Sequence, residues 1–66
     1  MSQVTSAQQA IKIANEFLES AKIALYIVTK TISRDKDWLV EVFSFGATYA
    51  LAINKETGKI TEYRQI

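Results

Sequence analysis

Tyr49-Ala50-Leu51-Ala52-Ile53-Asn54-Lys55-Glu56-Thr57-Gly58-Lys59-Ile60-Thr61-Glu62-Tyr63-Arg64 is the stretch on which the fold turns. Its first six residues alternate large apolar with small or polar side chains, the period-two pattern of a half-buried strand. The pattern restarts after Gly58. Lys55-Glu56-Thr57-Gly58-Lys59 has the form of a type I turn closed by a Gly bulge, so the two halves should be antiparallel neighbours over residues 48–54 and 59–65. Ile60 and Tyr63 fall on opposite sides of an ideal strand. Either a bulge reconciles them or only one points inward.

Upstream of this hairpin, Trp38-Leu39-Val40-Glu41-Val42-Phe43-Ser44-Phe45 reads as another strand, and Gly46-Ala47 suits a two-residue turn with Gly in its first central position. That turn sets Val42 opposite Leu51 and Val40 opposite Ile53 on one face, with Phe43 opposite Ala50 and Glu41 opposite Ala52 on the other. Further back, Ser33-Arg34-Asp35-Lys36-Asp37 is a polar turn. Before it, residues 23–32 are rich in β-branched and aromatic side chains, which predicts the first strand. Ser6 followed by Gln9 has capping-box spacing, and Ala7, Ala10, Ile11, Ala14, Phe17, Leu18 and Ala21 recur at threes and fours. Residues 6–21 are therefore expected as an amphipathic helix, with Ile13 at the margin of a stripe about 120° wide. The prediction is a single α+β domain: one N-terminal helix packed on a four-stranded antiparallel meander.

Composition limits what such a domain can do. A chain of 66 residues buries only about 60% of the surface that it exposes when unfolded. With no Cys and no His, neither a disulfide nor a common metal staple is available, which leaves oligomerisation as the usual supplement. Eight basic against seven acidic residues, a net charge of +1, give no electrostatic reason to expect nucleic acid or an anionic membrane. No run is long enough to span a bilayer. Met1-Ser2-Gln3-Val4-Thr5-Ser6 lacks the basic-then-apolar pattern of a secretory signal, so a cytoplasmic setting is the expectation.

A width argument points to partners. A helix is about 10–12 Å across, whereas four strands spaced near 4.8 Å make a sheet of about 19 Å. Part of the inner face should stay uncovered. The outer face would carry Tyr26, Val28, Leu39, Phe43, Phe45, Ala50 and Ala52, which is too apolar for a face that meets only water. Tyr26, Val28, Leu39, Phe43 and Phe45 are the candidate interface residues, and the expected partner is a second copy or another protein.

Catalytic motifs are missing. Acid–base and nucleophilic chemistry relies on His, Cys or a carboxylate pair in a cleft, and a helix-on-sheet layer of this size has little room for one. A non-enzyme without cofactor or metal is the expectation. Asp35 and Asp37 make a thin ligand set, more simply read as a solvated turn. Glu41 among apolar neighbours is a raised-pKa acid or, more often for such a residue, an edge-protecting charge or a partner for a cross-strand Lys or Arg. Gly46 and Gly58 do not form a phosphate-cradling loop. Tyr26, Phe43, Phe45 and Tyr63 with Lys30 and Arg64 would suit single-stranded bases if they shared a platform, but the near-neutral charge argues against it. Trp38 is expected to close the helix–sheet core.

Trp38-x-Val40-Glu41-Val42, then Tyr49-x-Leu51-x-Ile53-Asn54 and Gly58-Lys59-Ile60-x-x-Tyr63-Arg64, resemble the C-terminal core of the gas vesicle protein O family. The helix-then-meander order, with Tyr-x-apolar-x-apolar followed by Thr-Gly-x-apolar, is also similar to the PepSY domains of peptidase propeptides. The second resemblance implies an inhibitory or chaperoning interaction with a peptidase, usually outside the cytoplasm. Neither resemblance supplies catalytic residues.

Overall fold

A computed structural model describes residues 3–66; Met1 and Ser2, which open the segment without a secretory pattern, lie outside the described residues. Helix α1 spans Ala7–Ser20 and is followed by strands β1 (Ile27–Ser33), β2 (Asp37–Ser44), β3 (Ala47–Asn54) and β4 (Ile60–Gln65). The strands form one antiparallel sheet in the order β1-β2-β3-β4. The α+β meander read from the sequence is the fold.

Ser6 caps α1, its Oγ accepting from the Gln9 amide at 3.2 Å. The reciprocal arm of the box is displaced by one residue. Gln9 Oε1 accepts from the Thr5 amide at 2.6 Å rather than from Ser6. At the other end the Lys22 amide donates to Glu19 O and the Ile23 amide to Leu18 O, the double closure of a Schellman motif. Lys22 takes the left-handed conformation there, with φ 64°. The helix therefore stops before residue 21, and the chain runs unpaired through residues 23–26. Strand β1 starts four residues later than expected because that stretch must climb from the helix layer to the sheet edge. Ser44 Oγ supports it, donating to Leu25 O at 2.6 Å.

The β2–β3 turn also differs from expectation. Phe45 and Gly46, not Gly46 and Ala47, are its central residues, at φ 50° and 79°. Positive φ at both positions makes a type I′ turn. Ser44 pairs with Ala47, which sets Val42 opposite Tyr49, Val40 opposite Leu51 and Trp38 opposite Ile53. The register is thus two residues away from the expected one. An even shift leaves every side chain on its predicted face.

Val40, Val42, Leu51 and Ile53 are fully buried with Ala10, Ala14 and Leu18 of the helix. Two alanines at the contact let the helix lie close to the sheet, and Ile13 packs into this core from the margin where the periodicity placed it. Val4 joins the core from before the helix. Its amide donates to Lys55 O at 2.7 Å, and its carbonyl accepts the Trp38 indole N–H at 2.9 Å. Trp38 closes the helix–sheet core, as its residue type suggests.

Two bulges correct strand parity. One lies between Ala52 and Ile53 in the β3–β4 ladder, leaving Thr61 as the extra residue. Ile53 then faces Ile60 and Leu51 faces Tyr63, so both β4 side chains turn to the helix side. The other lies between Val28 and Lys30, with Thr29 extra. The β3–β4 turn puts Gly58 in the left-handed conformation, at φ 73°, but is wider than the expected type I turn with a Gly bulge. The Gly58 amide donates to Asn54 O, four residues back, the Asn54 amide donates to Lys59 O, and Asn54 Oδ1 accepts from the amides of Glu56 and Thr57. Among the described residues no helix is long and apolar enough to cross a membrane.

Candidate interaction surface

The helix packs across β1, β2 and β3, while β4 is exposed at five of its six positions. The inner face beyond the helix is shielded by aromatic rings instead. Tyr63 meets Phe17 edge-on at 5.2 Å and stacks on Tyr49 at 5.6 Å. Offset and edge-to-face contacts of this kind add about 0.5–1.5 kcal/mol beyond burial.

On the outer face the ladders align three rows. Ile27, Phe43 and Thr48 make the first; Lys30, Glu41, Ala50 and Arg64 the second; Ile32, Leu39, Ala52 and Glu62 the third. Ala50 and Ala52 are each only 2% exposed, yet they stand outside the cluster that packs on the helix. Longer side chains on β2 and β4 flank them, Glu41 and Leu39 on one side and Arg64 and Glu62 on the other. The small residues form the floor of a trough. Arg64 Nε pairs with Glu62 Oε2 at 2.8 Å, and both side chains are exposed. Glu41 stands opposite Lys30 in register, the placement of a cross-strand partner for a Lys; β2 is an inner strand, so the charge protects no sheet edge.

The first row carries most of the exposed apolar surface, although Ile32 in the third is 36% exposed. Ile27 is 65% and Phe43 44% exposed, and just beyond them Leu25 is 71% and Phe45 79% exposed. A hollow of about 300 Å³ opens between them, lined by Leu25, Tyr26, Ile27, Phe43, Ser44 and Phe45. Of the five candidate interface residues, Phe43 and Leu39 occupy the outer face and Phe45 sits on the adjoining turn rather than in a strand. Tyr26 and Val28 do not belong to that face. Tyr26 donates its hydroxyl to Asn15 Oδ1 on the helix at 2.9 Å. Val28 pairs with Val42 and packs on the core.

Their displacement has one cause: the extra residue Thr29 reverses parity, so Ile27, Lys30 and Ile32 face outward. Nothing in the sequence marks Thr29, an ordinary strand residue, as the one out of step. Leu25 and Ile27 were therefore missed as surface residues. The two bulges together break up the base-stacking platform, since Tyr26 and Tyr63 face the helix while Phe43 faces away.

Two other depressions are lined by mixed polar groups. One, of about 390 Å³, lies beside Trp38 and Lys55. Lys55 is engaged there, with its amino group 5.2 Å over the Trp38 ring and donating to Ser33 Oγ and Arg34 O. The other, of about 330 Å³, separates the first turns of α1 from the Thr57-Gly58 turn.

In the β1–β2 turn, Arg34 grips Asp37 with two hydrogen bonds of 2.7 and 2.8 Å. They hold the Asp37 carboxyl below its ordinary value and raise the Arg34 guanidinium. Among the described residues no three His, Cys, Asp or Glu side chains gather as a metal site.

No protein-family model matches the chain, and no match was found among curated proteins or solved structures.

Proposed function

We propose that the chain is a non-catalytic interaction module that self-associates through the apolar end of its outer sheet face. One observation supports this above the rest: Leu25, Ile27, Phe43 and Phe45 stand exposed around a single hollow in a domain of 66 residues. Scattered exposed apolar residues need no explanation, but a contiguous patch does. At about 0.05–0.15 kcal/mol per residue, a chain of this length has roughly 3–10 kcal/mol of stability. Full burial of a large apolar side chain contributes about 1.5–3 kcal/mol. Covering two or three of them is comparable with folding itself.

Sedimentation of the wild type across a concentration series should show a monomer–dimer equilibrium. Phe43→Ser should remain monomeric, because it places a hydroxyl in the middle of the patch. A wild type that stays monomeric at every concentration refutes self-association.

A further inference from the structure

The turn between β2 and β3 works against its own backbone preference. A type I′ turn favours Asn, Asp or Gly at its first central position, because a left-handed backbone crowds Cβ against the following carbonyl. Phe45 holds that position at φ 50°. Its ring is 79% exposed, so little burial within the chain offsets the strain. A strained residue that gains nothing inside its own fold points to a contact outside it.

Beside this projecting ring lies the hollow of about 300 Å³, which Phe45 itself helps to line. The hollow is an open surface depression, so a ring can enter it from solvent. Projection and recess thus lie side by side on one surface. A two-fold contact presents the same patch on both partners, so each projection can meet the other's recess. Tyr26 is the one ionisable residue among those lining the hollow, and its hydroxyl is already bonded to Asn15. No buried charge opposes the contact.

Area supports a second copy as the occupant. Taking about 200 Å² for a large side chain, the exposures of Leu25, Ile27, Phe43 and Phe45 amount to about 500 Å² per copy. A pair would bury about 1,000 Å², the lower bound for a specific interface.

We propose that two copies of this chain join through an isologous contact in which the Phe45 ring of each seats in the hollow beside Phe43 of the other. The inference rests on the self-association reading above and adds the residue that anchors it. Phe45→Asn separates the two roles of the ring, because Asn suits the turn but cannot fill the recess. Thermal unfolding at concentrations where the chain is monomeric should show Tm raised by about 4–8 °C, the shift expected of a small domain on losing strain of this order. Sedimentation should show the dimer weakened at least about tenfold, a lower limit for removing a central aromatic anchor. Phe45→Tyr should still dimerise. If Phe45→Asn dimerises like the wild type while Phe43→Ser does not, the anchor is refuted and the interface survives. A lower monomer Tm for Phe45→Asn also refutes the anchor, since the ring would then be supporting its own fold. A wild type that never dimerises removes both proposals.

Discussion

Replacing Lys22 with glycine should stabilise the protein, although the substitution removes a side chain and adds none. Lys22 occupies the residue after the helix C-cap at φ 64°, where the Schellman closure of Leu18 and Glu19 carbonyls fixes the backbone. A non-Gly residue in that conformation costs about 1–2 kcal/mol. Gly gives back about 0.4–1 kcal/mol through its greater freedom in the unfolded chain. The net gain is roughly 0.5–1 kcal/mol. The Lys22 side chain is exposed, so little packing is lost. With a urea m-value of about 1 kcal/mol/M for so small a domain, the midpoint should rise by roughly 0.5–1 M at unchanged m. Lys22→Ala is the decisive companion, since it removes the charge and stem but keeps Cβ; its stability should stay within about 0.5 kcal/mol of the wild type. If Lys22→Gly lowers the midpoint, or Lys22→Ala raises it as far, backbone strain is not what this position stores.

Leu51→Ala acts on the central strand at a fully buried site and should lose about 2.7–5.0 kcal/mol, enough to leave the chain partly unfolded at room temperature by circular dichroism; a cooperative transition with under about 1 kcal/mol lost would mean that Leu51 does not face the core. Asp37, paired with Arg34, has its pKa held below the ordinary 3.8, so its contribution is present above that value and disappears as pH falls through the lowered one. The pair is solvent-accessible, so the loss should be under about 1 kcal/mol; Asp37→Asn should remove that part of the acid limb in a pH series of urea midpoints, and an unchanged limb would show that the pair contributes nothing.

Periodicity carried the architecture because burial enforces it. Leu51, Ile53, Val40 and Val42 all reach the core, and the conflict between Ile60 and Tyr63, open between a bulge and a single inward side chain, is resolved by the bulge at Thr61. The errors share a different origin. Lys22 and Phe45 both adopt left-handed backbone without being Gly, and a reading that uses Gly to locate helix ends and tight turns overlooks such positions. At Lys22 the consequence was a helix drawn one residue long at its end and a first strand begun four residues early. At Phe45 it was a two-residue register error. Thr29 misplaced Tyr26 and Val28 for a separate reason: the conformation that makes a residue a bulge depends on its neighbours across the ladder rather than on its own side chain.

The apolar surplus expected from the mismatch in width between helix and sheet is real, but the fold concentrates it. On the inner side Phe17, Tyr49 and Tyr63 extend the cover that the helix cannot supply. On the outer side Ala50 and Ala52 keep the middle low, and Lys30, Glu41 and Arg64 line up across it. A companion laid flat over the whole face would have to desolvate that charged row, at a cost of several kcal/mol for each ion left imperfectly paired. A companion at the end of the face meets Leu25, Ile27, Phe43 and Phe45 with the uncharged Tyr26, Ser44 and Thr48 beside them. If two copies associate as proposed, the charged middle row disfavours a flat contact, and the dimer should join end-on, where the β2–β3 turn meets the chain ascending from the helix.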